Sequence, residues 1–256
     1  MKLMLKKVHG YLYVLGVALT YFLFWPFFKY CSLKISRYHA MNKARRVWAL
    51  ISSGLAGFFY RFEYEQPIDW SKTYIVCPNH SSNLDIPAMC ALVNTNCSFM
   101  GKEELKDGIV TRLFFRTVDI PVNRDSKMSS YRAFKKATEK LQEGVTLIIF
   151  PEGKISDDYP PTLHEFKNGP FKLAIDYQIP IIPVTSSSTW KKLWDNGSKY
   201  GSRPGVCHIY VHKPVDTTVY GPDDADRLKD DIYALMAEKL AGDGIVPAEA
   251  GILSQN

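Results

Sequence analysis

The segment Thr73–Asp85, TYIVCPNHSSNLD, determines the fold that we expect for this chain. Its first five residues form an apolar, β-branched run, which is typical of a buried strand. From Leu84 to Val93 the residues have helical character. The polar loop between strand and helix contains His80, and Asp85 lies in the first turn of the helix. The segment therefore predicts a strand, a loop and a helix, which is the repeating unit of an α/β protein.

The same alternation of strand and helix continues to about Leu240. Short apolar runs predict six strands, at Thr73–Cys77, Ser98–Gly101, Val118–Val122, Val145–Phe150, Ile181–Thr185 and Val206–Val211. Amphipathic stretches predict five helices, at Leu84–Val93, Glu103–Arg116, Met128–Glu143, Pro170–Tyr177 and Asp223–Leu240. We therefore expect an α/β body, because strands and helices follow one another in turn.

The N-terminal quarter of the chain differs in charge from the rest. The 256 residues include 32 Lys plus Arg and 26 Asp plus Glu. Ten of the basic residues, and none of the acidic ones, lie between Met1 and Phe62. The positive charge therefore belongs to this segment, which favours an anionic membrane surface as its partner, and we expect no nucleic-acid partner.

Two uncharged runs in this segment indicate helices that contact a membrane. Val8–Phe28 has 21 residues and, as a helix, would be ~31 Å long, close to the hydrocarbon thickness of a bilayer. Val47–Tyr60 has 14 residues, which is typical of an interfacial helix. With the basic connector Lys29–Arg46 between them, they predict a hairpin in one leaflet; a single membrane span is the alternative, and a cleaved signal peptide is disfavoured. We therefore divide the chain into a hairpin at 1–62, an α/β body at 63–241 and a tail at 242–256.

Several common classes of protein are disfavoured by what the sequence lacks. The five cysteines form no Cys-x-x-Cys pair, so neither a disulfide framework nor a zinc ribbon is indicated, and no metal site is expected. No phosphate loop, dinucleotide fingerprint or Gly-x-Ser-x-Gly elbow occurs. Nucleotide-dependent enzymes and common serine hydrolases are therefore disfavoured. The run Ser186–Thr189, which follows a predicted strand, is interpreted as a loop.

The candidate chemistry of the chain begins with His80 and Asp85. A carboxylate five positions after a histidine, across a loop that ends in a helix, can hold one ring nitrogen and leave the other to remove a proton from a hydroxyl. Chance alone would nearly supply this spacing in a chain of this composition. An aspartate that only caps a helix beside an ordinary histidine is therefore the alternative.

Further segments follow this pair in a defined order. They are Gly101–Leu105 (GKEEL), Ile120–Arg124 (IPVNR), Phe150–Gly153 (FPEG) and Pro180–Val184 (PIIPV). Taken together with NHSSNLD, these motifs resemble the glycerolipid acyltransferase family, and most closely the bacterial 1-acylglycerol-3-phosphate (lysophosphatidic acid) acyltransferases. The match extends from about Thr73 to Val215, and the basic hairpin resembles the membrane anchor of that family.

The resemblance implies a central mixed sheet flanked by helices, and transfer of a fatty acyl group from acyl-CoA or acyl-carrier protein to the hydroxyl of a lysophosphatidic acid. His80 would be the general base and Asp85 would orient it. Lys102 and Arg124 would bind the acceptor phosphate. No metal or redox cofactor is implied, and the implied location is the cytoplasmic face of the cell inner membrane.

The Phe150–Gly153 motif also carries family-implied roles and one departure. Glu152 and Gly153 would shape the site around the glycerol head, but the family usually continues with Thr-Arg-Ser, where this chain has Lys154, Ile155 and Ser156. Lys154 supplies a point charge in place of a two-pronged guanidinium. The acceptor could therefore be another lyso-lipid, such as a lyso-ornithine lipid or lysophosphatidylethanolamine. Two other classes stay open, a non-catalytic lipid-binding protein and a lipid hydrolase with a nucleophile at Cys77 or Ser81.

Overall fold

The computed structural model describes residues 1–123, 125–155, 157–194 and 199–244. Arg124 and most of the predicted tail, from residue 245 onward, lie outside the described residues. The strands are β1 Phe58–Tyr64, β2 Ile75–Pro78, β3 Cys97–Lys102, β4 Ile120–Val122, β5 Thr146–Ile149, β6 Ile181–Ser186 and β7 Gly205–Val211. The α-helices are α1 Lys2–Ser32, α2 Tyr38–Leu55, α3 Asp85–Leu92, α4 Arg112–Phe115, α5 Lys127–Gln142, α6 Gly169–Asp176 and α7 Ala225–Gly242. Two 3₁₀ turns occupy Ile35–Arg37 and Glu103–Lys106.

The seven strands form one mixed sheet in the order β1-β7-β6-β2-β5-β3-β4. Five neighbouring strands, β6, β2, β5, β3 and β4, are parallel, whereas β7 is antiparallel to β6 and β1 is parallel to β7. The carboxyl ends of the five parallel strands therefore meet at one edge of the sheet, where binding sites of α/β proteins are usually found. The predicted α/β class with a mixed sheet is confirmed.

Helices cover both faces of this sheet and bury its apolar side chains. On one face α5, α6 and α7 contribute residues such as Ala137, Leu173 and Ile232 to a core that includes Leu147. On the other face α3 packs Met89 and its neighbours against the sheet. Such burial of strands on both faces explains why they read as continuous apolar runs in the sequence.

The six predicted strands are present, and each begins and ends within two residues of the predicted bounds. Four of the five predicted helices match equally well. The helix predicted at Glu103–Arg116 is wrong, because it is divided into a 3₁₀ turn at Glu103–Lys106 and the short α4. Gly108 lies in the interruption, and the hydroxyl of Thr111 donates to the carbonyl of Leu105 at 2.6 Å. This local bond replaces a backbone bond that a continuous helix would make.

β1 was not predicted from the sequence, and the second helix lies earlier in the chain than predicted. The helix expected at Val47–Tyr60 begins earlier, at Tyr38, and ends at Leu55. Gly57 follows with a φ of +71°, a left-handed conformation that favours glycine and ends helices. The chain then continues as β1, which pairs with β7 from Phe58↔Gly205 to Tyr64↔Val211. Absence of charge in residues 47–60 therefore reflected a helix end and a sheet strand together.

Helix α1 packs along one side and is exposed along the other. Its buried side chains recur at helical spacing and include Tyr13, Tyr21 and Phe28. The opposite side exposes a row of large apolar side chains, among them Leu12, Leu15, Leu19 and Leu23. By length and composition α1 could cross a membrane, but it packs against α2 and, through Tyr21 and Phe28, against Phe114 of α4.

A buried ion pair connects α2 to the α/β body. Arg45 donates to both carboxylate oxygens of Asp119 at 2.9 Å, and both side chains are at most 5% exposed. Asp119 also accepts from the backbone N–H of Phe99 in β3. Removal of one partner of such a pair leaves an uncompensated buried charge. The N-terminal helices are therefore packed against the α/β body. β1 begins before residue 62, where the predicted hairpin ends, and continues to Tyr64.

Candidate active site

His80 and Asp85 meet at the carboxyl edge of the sheet. His80 lies in the loop after β2, and Asp85 is the first residue of α3. Nδ1 of His80 is 3.2 Å from Oδ2 of Asp85. The His80 side chain is 15% exposed, whereas that of Asp85 is fully buried. The sequence spacing and the strand–loop–helix unit therefore bring the two groups into contact, with the histidine toward solvent.

The carboxylate of Asp85 is fixed by four donors. Oδ2 accepts the backbone N–H groups of Ser81 and Ser82, both at 2.8 Å, in addition to the contact with His80. Oδ1 accepts the hydroxyl of Thr189 at 2.7 Å. Because the group accepts at both oxygens, the arrangement suits the ionised carboxylate. Asp85 can therefore present a negative charge to the imidazole in one fixed orientation.

Two further contacts hold His80, one to its ring and one to its backbone. Its ring stacks on Phe150 with 4.1 Å between ring centroids. Its backbone N–H donates to Oε1 of Glu152 at 2.6 Å. Since Nδ1 contacts Asp85, the second ring nitrogen, Nε2, is the one left to exchange a proton with a bound hydroxyl. This geometry is what a general base requires.

Glu152 joins the loop after β5 to the loop that carries His80. Oε1 accepts from the backbone N–H of His80 and Oε2 accepts from the backbone N–H of His164 at 2.9 Å. Burial raises the pKa of Glu152 to about 8, and the two amide hydrogen bonds act in the opposite direction. Gly153 follows with a φ of +78°, where a side chain would be strained. The Phe150–Gly153 motif therefore supports His80 through a bond to its backbone.

Of the predicted basic residues, Lys154 forms an ion pair with an acid, and Lys102 acts on the same acid through its charge. Lys102, at the end of β3, and Lys154 are both exposed. Nζ of Lys154 is 2.5 Å from Oδ2 of Asp157, which raises the pKa of Lys154 and lowers that of Asp157. The charge of Lys102 contributes a smaller lowering of the pKa of Asp157, so both cations act on this carboxylate. Arg124 is outside the described residues, so its position relative to them is not part of this geometry.

Two residues at the site were not predicted from the sequence. Thr189, interpreted as part of a loop, is fully buried and donates to Asp85 across 104 positions of the chain. The side chain of Asn79 accepts from the N–H of Ser186 and donates to the carbonyl of Ser186. The sequence of a loop after a buried strand does not indicate which distant residues the loop contacts. The position of β6 beside β2 in the sheet produces them.

The alternative nucleophiles are in unsuitable surroundings. Burial raises the pKa of the Cys77 thiol well above its ordinary value, which leaves it protonated. The hydroxyl of Ser81 is buried and lies 3.1 Å from that of Thr189. All five cysteines are buried and free. These surroundings disfavour a covalent acyl-enzyme at either residue.

Part of the chain is similar to known proteins. Residues 60–187, half of the chain, match the family model described as Acyltransferase. The 1-acyl-sn-glycerol-3-phosphate acyltransferase alpha of Mus musculus is 28% identical over 164 residues, covering 63% of this chain and 56% of that protein. The 1-acyl-sn-glycerol-3-phosphate acyltransferase of Haemophilus influenzae is 28% identical over 172 residues, covering 64% and 66%. This chain spans about three fifths of the length of the curated relatives it matches.

A solved structure shares the fold. The crystal structure of the 1-acyl-sn-glycerophosphate (LPA) acyltransferase of Thermotoga maritima superposes with a TM-score of 0.75, at 22% identity, over 94% of this chain and 95% of that one. The chain belongs to the acyltransferase family, and its similarity is to members of the lysophosphatidic acid acyltransferase type. The resemblance inferred from the motifs is confirmed.

Proposed function

We propose that the protein is a membrane-bound acyltransferase that converts 1-acylglycerol-3-phosphate into phosphatidic acid. The observation that carries the proposal is the contact of His80 with the carboxylate of Asp85 at the carboxyl edge of the sheet. This carboxylate is buried and accepts from four donors. The family assignment and the names of the relatives support the reaction class. The acyl donor is a thioester, either acyl-CoA or acyl-carrier protein.

The proposed reaction is direct transfer with one proton carrier. Nε2 of His80 takes the proton of the acceptor hydroxyl while its oxygen attacks the thioester carbonyl carbon. The new C–O bond forms, the C–S bond breaks, and the departing sulfur takes the proton back from the imidazolium. Asp85 holds Nδ1–H and stabilises the transient positive charge. A thioester is already activated, so the proposal requires no metal or redox cofactor and no protein nucleophile.

The acceptor phosphate is proposed to lie against Lys102, Lys154 and Arg124. Both described lysines are exposed, and the charge of each lowers the pKa of Asp157. Ile155 offers no charge, and Lys154 binds as a point charge in place of the missing arginine. Glu152 and Gly153 keep this loop next to His80. A phosphomonoester is the favoured head group, with lyso-ornithine lipid and lysophosphatidylethanolamine as the competing acceptors.

We also propose that α1 and α2 lie in one leaflet at the cytoplasmic face of the cell inner membrane. The buried side of α1 is used along its length for packing, which suits a helix lying on the bilayer better than one crossing it. The exposed leucine row supplies the lipid-facing side. Tyr13 of α1 and Leu84, the neighbour of Asp85, belong to one apolar cluster. The proposed catalytic loop is therefore next to the proposed membrane helix.

A panel of acceptors and donors tests this function. Purified full-length protein is mixed with vesicles that contain lysophosphatidic acid, lysophosphatidylethanolamine or a lyso-ornithine lipid, and with acyl-CoA or acyl-carrier protein. We expect phosphatidic acid to be the main product by mass spectrometry, and thiol release to require the acceptor. Faster acylation of another lyso-lipid would replace the proposed acceptor. Hydrolysis of the thioester without acyl transfer would contradict the reaction class.

A further inference from the structure

A group of three buried hydroxyls lies behind the catalytic pair. Oγ1 of Thr189 is 2.7 Å from Oδ1 of Asp85, 2.8 Å from Oγ of Ser186 and 3.1 Å from Oγ of Ser81. All three hydroxyl residues are at most 4% exposed. They come from two segments, the loop before α3 and the end of β6 with its following turn. The group is therefore a sealed polar contact between these segments, placed on the side of Asp85 away from His80.

The direction of the hydrogen bonds in this group follows from Asp85. An ionised carboxylate only accepts, so Thr189 must donate its single proton to Oδ1. A hydroxyl has two lone pairs, and those of Thr189 then accept from Ser81 and Ser186. The hydrogen-bonding capacity of Thr189 is fully used: the two serines donate to Thr189, and Thr189 donates to the carboxylate. Such aligned bonds polarise one another in a buried setting.

The backbone beneath Thr189 is also fixed. The amide side chain of Asn79, next to His80, accepts from the N–H of Ser186 at 2.6 Å and donates to its carbonyl at 3.1 Å. The Ser186–Thr189 turn is therefore attached to the same loop that carries His80. The attachment fixes the backbone at Ser186, three residues before Thr189. This turn places the hydroxyl of Thr189 against one oxygen of the carboxylate.

We propose that Thr189 is a positioning residue that holds Asp85 in the orientation His80 needs. This inference rests on the proposed function. With Oδ1 held by Thr189, Oδ2 faces Nδ1 of His80, and rotation of the carboxylate about the Cβ–Cγ bond of Asp85 is restrained. Loss of the hydroxyl leaves Oδ1 buried without its donor, so Oδ1 competes with Oδ2 for the remaining N–H groups. Thr189 is fully buried and its partners are protein groups, so its effect appears in turnover and not in acceptor binding.

The test compares three variants of the full-length protein in the vesicle assay. Thr189→Val keeps the shape and removes the hydroxyl; we expect kcat to fall roughly 10- to 100-fold with KM for the acceptor within about twofold. Thr189→Ser restores the hydroxyl and should recover kcat to within about threefold of wild type. Thr185→Val is the matched control, because Thr185 is also buried but pairs with His212 at 2.8 Å and not with Asp85. It should lower stability while kcat stays unchanged.

A spectroscopic measurement keeps the test independent of turnover. The Nδ1 proton of a histidine paired with a carboxylate gives a separate low-field proton resonance, which should move or broaden in Thr189→Val and stay in place in Thr185→Val. If Thr189→Val does not fold, the resonance and kcat of Ser186→Ala serve instead, and both should change in the same direction. The inference is overturned by wild-type kcat and an unmoved resonance in the folded variant, or by equal losses in both valine variants. An inactive wild-type protein with the expected resonance shifts would count against the proposed function alone.

Discussion

Substitution of Asp85 by asparagine removes one charge from the site and leaves its shape. If the asparagine oxygen takes the place of Oδ2, it still accepts from Ser81, Ser82 and His80, which lie at 2.8, 2.8 and 3.2 Å from that atom. The new NH₂ then faces Oγ1 of Thr189, 2.7 Å from the other oxygen. Thr189 can accept this bond if its own proton turns toward a neighbouring serine. Each buried polar group therefore keeps a partner.

The expected loss of stability is small because only the charge assistance is removed. Each hydrogen bond to a charged group contributes about 1.5–3 kcal/mol and each neutral one about 0.5–1.5 kcal/mol, so four weakened bonds cost several kcal/mol. Asparagine also avoids the cost of burying a charge, which offsets most of this loss, so we expect a net loss of about 1–2 kcal/mol in the free energy of unfolding. The expected loss of activity is larger. In a histidine–carboxylate pair, the same change of carboxylate to amide lowers turnover by about 10⁴-fold in the serine-protease example. We therefore expect a kcat lower by roughly 10³- to 10⁴-fold, or about 4–5.5 kcal/mol in activation free energy.

Two measurements on the same preparation separate these effects. Urea denaturation gives the change in unfolding free energy, and thiol release from acyl-CoA with lysophosphatidic acid vesicles gives kcat. Asp176→Asn, an exposed position at the end of α6, is the control and should change neither quantity appreciably. If a folded Asp85→Asn protein keeps a kcat within tenfold of wild type, the charge on Asp85 has no part in the reaction and the prediction is wrong.

Two further predictions concern the groups around His80. Burial raises the pKa of Glu152 to about 8, above its ordinary value of 4.5, so the folded protein binds more protons than the unfolded chain in this interval and stability falls as the pH rises through it. Burial also lowers the pKa of His212 from 6.5 to about 4, which changes stability only below about pH 6.5. Between pH 6.5 and 8 the urea midpoint of the wild type should therefore fall as the pH rises, and that of Glu152→Gln should fall less. Equal falls in the two proteins would contradict the prediction. The second change, Asp157→Asn, frees Lys154 from its ion pair and should lower KM for lysophosphatidic acid with kcat unchanged; an unchanged or higher KM in the vesicle assay would remove Lys154 from the acceptor site.

The sequence allowed prediction of those features that depend on neighbouring residues. Strands buried on both faces gave continuous apolar runs, and His80 and Asp85 are only five positions apart, so a local motif predicts their contact. The break at Gly108 is also local, but it depends on a hydroxyl bond that periodicity does not register. The strand β1 was missed because its residues continue an uncharged run that also contains the end of α2.

Contacts between distant segments could not be predicted from the sequence. Thr189 reaches Asp85 because β6 lies beside β2, and this neighbourhood is a property of the sheet order. Arg45 reads as one cation of a basic connector, yet it is buried against Asp119, 74 positions further on. This pair changes the interpretation of the N-terminal segment. Its helices contribute to the core of the protein as well as presenting an apolar surface.

One imidazole, that of His80, is proposed to carry the proton in acyl transfer. The most direct test is the rate of phosphatidic acid formation from acyl-CoA and lysophosphatidic acid vesicles by His80→Ala, with His208→Ala, an exposed histidine on β7, as the matched control. We predict that His80→Ala lowers kcat at least ~100-fold, as is typical of the loss of a general base, while His208→Ala matches the wild type. Turnover by folded His80→Ala at a rate close to that of the wild type would contradict the claim.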